Sequence, residues 1–144
     1  MTMRDAVIVE AVRTPVGRRN GGLSGVHPAE LSAHVLNALA ERAGVEPGVV
    51  DDVIWGCVGQ VGEQTFDIAR TAVLTAGWPE SVTGVTVDRQ CGSSQQSVHF
   101  AAAGLIAGHY DVVVAGQRSA DPGVRRRVSH LTPTRRPRGL VTGR

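Results

Sequence analysis

The chain has 144 residues, 42% of them hydrophobic, with only two Trp, two Phe and one Tyr. That length suits one domain able to bury about two-thirds of its unfolded surface, and a core drawn mostly from Val, Ala, Leu and Ile is typical of α/β folds. No apolar run approaches the roughly 18 residues of a membrane span, and the N-terminus runs straight into an apolar strand without the form of a signal peptide. Two well-separated cysteines in such a chain point to reduced thiols and a cytoplasmic setting. The net charge of +2 hides a split. Residues 1–117 carry seven Arg against twelve Asp and Glu, whereas 118–144 carry eight Arg against one Asp, and the chain has no lysine.

Ala6-Val7-Ile8-Val9 is a continuous apolar run, the mark of a strand covered on both faces. A Gly-rich loop follows through Asn20-Gly21-Gly22-Leu23-Ser24-Gly25. It holds neither a Walker-type phosphate loop nor a G-x-G-x-x-G opening a helix, so its glycines make no phosphate cradle by themselves. Pro28 suits the first turn of a helix, with Glu30 near the positive end of its dipole. Leu31, Val35, Leu36, Leu39 and Ala43 form that helix's apolar stripe and Gly44 ends it. After a Glu46-Pro47-Gly48 turn, Val53–Val58 reads as a second strand, with Cys57 inside it in a packing role.

A second helix carries Ile68, Ala69, Ala72, Val73 and Ala76 at helical spacing, closed by Gly77 and Pro79. Val85-Thr86-Val87 is a third strand. Beyond Asp88-Arg89-Gln90-Cys91 comes a third helix with Val98, Ala101, Ala102, Leu105 and Ile106 as its stripe and Gly108 as its stop. Asp111–Gly116 is a fourth strand apolar on both faces. The order β-α-β-α-β-α-β predicts an α/β fold with a mixed, mostly parallel sheet and right-handed crossovers.

Cys91 falls at or just before the first turn of the third helix, at the C-terminal end of the third strand, where such sheets build their sites. Unpaired helix amides and the macrodipole favour an anion there. Thiolates in such places have lowered pKa values, and the thiolate is the nucleophile. Arg89 beside it reads either as a thiolate stabiliser or as the partner of Asp88 or Asp111. His34, His99 and His109 lie far apart with no carboxylate at ligand spacing, so they read as solvated or satisfied histidines and no metal is expected.

The wording around the cysteine, Asp88-Arg89-Gln90-Cys91-Gly92-Ser93-Ser94-Gln95-Gln96-Ser97-Val98-His99, resembles the nucleophile segment of thiolases, the acyl-CoA acyltransferase family. It is closest to the branch handling longer or steroid-derived acyl chains. Ketoacyl synthases also place a cysteine before a helix, but follow it with a run of small hydroxyl residues. Arg13-Thr14-Pro15-Val16-Gly17 and Gly62–Arg70 are similar to thiolase text as well. The resemblance implies half of a thiolase-like fold and a Cys91 that forms an acyl-thioester, in 3-ketoacyl-CoA thiolysis or acetyl-CoA condensation. It implies acyl-CoA and CoA as substrates with no resident cofactor, and a homo-oligomer in the intact family. It marks no CoA-binding residue in this stretch.

The likeness covers residues 5 to about 116 and then stops. A thiolase continues into a loop domain and a second half supplying a catalytic His, a second Cys and an Asn-based oxyanion site. Residues 1–117 are therefore expected to be an incomplete N-terminal thiolase-like domain, inactive or nearly so alone. An alternative is a non-catalytic half-thiolase that pairs with another chain. The Arg- and Pro-rich residues 118–144 read as a disordered basic tail, out of frame with the family text or else a nucleic-acid arm. Stacking aromatics are absent from it, so neither nucleic acid nor membrane is the expected partner.

Overall fold

The fold is taken from a computed structural model that describes residues 4–118 and 139–143. Among the described residues, five strands and three α-helices follow one another as β1 (Ala6–Ala11), α1 (Pro28–Ala43), β2 (Asp52–Gly56), α2 (Ile68–Thr75), β3 (Thr83–Val87), α3 (Ser93–Ala107), β4 (Val112–Gln117) and β5 (Gly139–Gly143). The strands form one sheet in the order β1-β5-β4-β2-β3. β2 is parallel to both β3 and β4, and β5 is antiparallel to both β4 and β1. The expected mixed, mostly parallel α/β sheet is what forms.

Each helix starts and stops for a local reason. The His27 ring nitrogen accepts from the Ala29 amide, Pro28 follows it, and Gly44 closes α1 at φ 64°. Asp67 caps α2 by accepting from the Ala69 and Arg70 amides while also taking the Thr86 hydroxyl, which ties the helix to β3. Gly108, at φ 79°, ends α3 in the left-handed conformation that glycine takes without steric cost.

Side chains of the central strands alternate between two cores, as a period of two requires. Val53, Trp55 and Val114 join Leu36, Leu39, Ala69, Ala72 and Val73 beneath α1 and α2. Ile54, Val113 and Ala115 meet Ala101 and Leu105 of α3 on the other face. Two glycines make the layers close. A Cβ on Gly104 would strike the Tyr110 ring, and one on Gly84 would stand 2.7 Å from the Arg70 nitrogen.

Two expectations need correction. β1 is a strand but is not covered on both faces: Val7, Ile8 and Val9 are 37, 62 and 50% exposed, because among the described residues β1 lies at the sheet's margin and pairs only with β5. On α3 the inward residues are Ser93, Ser97, Ala101, Gly104 and Leu105, while Ile106 is exposed. That helix is polar through its first turn and apolar on most sides after it, so spacing alone could not choose its buried face. Of the stretch expected to be a disordered tail, Arg118 and 139–143 are described, and Gly-Leu-Val-Thr-Gly at 139–143 forms the strand between β1 and β4. Residues 119–138 lie outside the described residues.

Candidate active site

The C-terminal ends of β2, β3 and β4 converge on one edge of the sheet, held by Cys57 N–H donating to Val87 O at 3.0 Å and Arg118 N–H donating to Gly56 O at 3.0 Å. The chain leaves β3 at Val87 and turns through Asp88 and Arg89. It then makes a single 3-10 turn at Gln90–Gly92 that runs directly into α3. Cys91 is the middle residue of that turn and is exposed. Among the described residues no side chain caps the start of α3, and the Ser93 backbone N–H is taken by Gln90 O. The placement expected from the sequence holds.

The turn is built by polar side chains of its own. Gln90 sits at φ 47°, an uncommon conformation for a residue with a Cβ. The Asp88 carboxylate accepts from its backbone N–H at 2.8 Å. Arg89 donates through its guanidinium to Gln96 Oε1 at 2.5 Å, one helical turn inside α3. Neither acid weighed as its partner takes that guanidinium: Asp88 holds Gln90, and Asp111 is paired with Arg4.

Cys57 lies just beyond the end of β2 rather than inside it and is 1% exposed. It packs against the larger core, but its thiol also donates to Gln64 Oε1 at 3.4 Å. Gln64 in turn accepts from Arg118 at 2.6 Å, and both residues are buried. This polar cluster was not legible in the sequence, because Gln64 and Arg118 are far apart along the chain and Arg118 stood in the stretch read as tail. Burial pushes the Cys57 thiol up, with the Arg118 charge opposing and Asp88 adding to the rise. Burial also raises the Tyr110 hydroxyl, helped by the charge of Asp52, to which it donates a hydrogen bond of 3.1 Å, and by Asp51.

These two shifts fix an alkaline limit. The unfolded chain gives up the Cys57 proton near 9.0 and the Tyr110 proton near 10.0, and the folded chain gives each up only at higher pH. Their stabilising contribution is therefore complete below about pH 9 and is lost as pH rises through the folded values. Urea midpoints should be level from pH 7 to about 8.5 and fall above that, and Cys57→Ala should flatten the first part of the fall.

His34, His99 and His109 are each exposed. Among the described residues, no three His, Cys, Asp or Glu side chains come together as metal ligands would, and no helix is long and apolar enough to cross a membrane.

Comparison with known proteins fits this geometry. The Thiolase, N-terminal domain family matches residues 6–118. A steroid 3-ketoacyl-CoA thiolase of Mycobacterium tuberculosis is 52% identical over 114 residues, covering 79% of this chain and 28% of the relative. A 3-ketoacyl-CoA thiolase of Pseudoalteromonas atlantica is 46% identical over 116 residues, covering 79% of this chain and 30% of the relative. The crystal structure of the Bacillus anthracis acetyl-CoA acetyltransferase superposes with a TM-score of 0.80 at 40% identity, covering 97% of this chain and 36% of that one. The chain thus spans about a third or less of the length of these relatives. With its N-terminal-domain match spanning every described strand but β5, the chain belongs to the thiolase family.

Proposed function

We propose that this chain serves acyl transfer between thioesters, with Cys91 as the group that carries the acyl. The observation that supports this is the exposed cysteine held in a turn that opens directly onto α3 at the C-terminal edge of three parallel strands. The Cys91 sulfur attacks the 3-keto carbon of a 3-ketoacyl-CoA. The bond between C2 and C3 breaks, C2 takes a proton, and acetyl-CoA leaves. The thiol of free CoA then attacks the acyl-cysteine and restores the Cys91 thiol. Splitting the transfer in two lowers each barrier, and the positive end of α3 beside Cys91 would favour the oxyanion that forms. Acyl-CoA and CoA are substrates in this scheme, with no resident cofactor, and the setting is cytoplasmic. The names of the similar relatives favour 3-ketoacyl-CoA, steroid-derived chains included.

Incubation with acetyl-CoA followed by peptide mapping tests this. An acetyl adduct should accumulate on Cys91 and not on buried Cys57, and Cys91→Ala should remove it. Acetylation of Cys91 no faster than that of a small free thiol would count against the proposal.

A second reading is a half-thiolase that pairs with another chain. It is favoured by the exposed Val7, Ile8 and Val9 of β1 and by Phe100 and Ile106 on the outer side of α3, 50 and 42% exposed. Apolar surface of that kind marks interfaces when it is contiguous. Sedimentation distinguishes the two: a monomer at micromolar concentration that still acetylates Cys91 would leave pairing without a role.

A further inference from the structure

We infer that Ser93 is a positioning residue for Cys91: its hydroxyl clamps the turn from Arg89 to Gly92 shut. The inference rests on the reading of Cys91 as the acyl carrier. Ser93 is fully buried at the first position of α3. Its Oγ accepts from the Arg89 N–H at 2.9 Å and donates to Gln90 O at 2.9 Å, so one hydroxyl bridges both residues that precede the cysteine. The Ser93 backbone N–H also donates to Gln90 O, and Gly92 N–H donates to Arg89 O at 2.9 Å. Cys91 is the residue enclosed by these bonds.

Two further features show what the clamp works against and what it stands on. Gln90 is held at φ 47°, and a side chain with a Cβ leaves that conformation when nothing retains it. Behind the serine, the backbone of Gly56 approaches so closely that a Cβ there would stand 2.8 Å from the Ser93 carbonyl carbon. The hydroxyl therefore has a fixed base on β2 and a strained turn in front of it.

Ser97 provides the matched control. It is equally buried, and its hydroxyl donates to Ser93 O at 3.0 Å, within the helix and away from the turn. A merely structural serine in α3 would behave as Ser97 does.

The experiment compares acetylation of Cys91 by acetyl-CoA in the full chain, Ser93→Ala and Ser97→Ala, alongside thermal midpoints. Ser93→Ala should slow acetylation at least tenfold at matched folded fraction, with Ser97→Ala within threefold of the parent chain. Ser93→Ala within threefold of the parent, or Ser97→Ala slowed as much as Ser93→Ala, would overturn the inference. Should Ser93→Ala not fold, hydrogen exchange of the parent chain decides. The Arg89 amide should then be protected, and exchange at the unprotected rate would overturn the clamp. Failure of the parent chain to acetylate Cys91 strikes the acyl-carrier reading instead, and the Arg89 amide still reports the clamp separately.

Discussion

Gly56→Ala should cost this protein about 1–3 kcal/mol and distort the turn that carries Cys91. The methyl group would stand 2.8 Å from the carbonyl carbon of Ser93, 2.9 Å from its Cβ and 3.0 Å from its oxygen. Two of those three atoms are backbone, so no flexible side chain can swing aside. Either β2 bends away from its neighbours β3 and β4, or the N-terminus of α3 lifts off the sheet. Lifting α3 moves Ser93 and the turn in front of it, so acetylation of Cys91 should fall together with the urea midpoint. Gly59→Ala is the comparison, since a Cβ there meets nothing within 4 Å. Its midpoint should stay within about 0.5 kcal/mol of the parent. Equal midpoints for the two variants would show that the approach of β2 to α3 is looser than described.

Leu36→Ala should be more costly still, about 2–5 kcal/mol. Leu36 is fully buried in α1 and belongs to the larger core with Leu39, Val53, Trp55, Ala72 and Val73. Val53 and Val114 of that core are β-branched and seated on β2 and β4, so they have little freedom to collapse into the space left behind. A domain of this size is stable by about 5–15 kcal/mol in all, so the loss would be a large fraction of the total. The measurement is urea unfolding with an unchanged slope and a lowered midpoint. A loss under 1 kcal/mol would mean that the α1 face repacks.

The elements of this fold are legible in the sequence wherever one signal dominates. Pro28 and Gly44 bracket α1, Gly108 stops α3, and the apolar runs of β2 and β4 are buried. The position of Cys91 follows from the same signals, since a strand before it and a helical stripe after it leave only a short turn between. What sequence could not show is set by contacts between distant segments. Val7, Ile8 and Val9 read as doubly covered, yet their exposure depends on which strand lies beside β1. The buried face of α3 depends on Gly104 meeting Tyr110 and Ser93 meeting Gly56, not on its own periodicity. Ser93 itself carried a hint, because a small hydroxyl residue two places after a cysteine at a strand–helix junction is a natural backbone capper. Nothing local foretold that Gln64, Cys57 and Arg118 would meet.

The order of the strands also bears on how the chain is made. Among the described residues β1 is joined to the rest of the sheet through β5 alone, and Ala11 pairs with Gly139 across more than a hundred residues of sequence. During synthesis the first strand therefore leaves the ribosome long before its partner does. At about 5–20 residues per second that wait is on the order of ten seconds. β2, β3, β4 and the three helices can assemble within it, but Val7, Ile8 and Val9 have no strand to pair with. Nascent chains of this protein should accordingly present one apolar N-terminal segment to chaperones until β5 emerges.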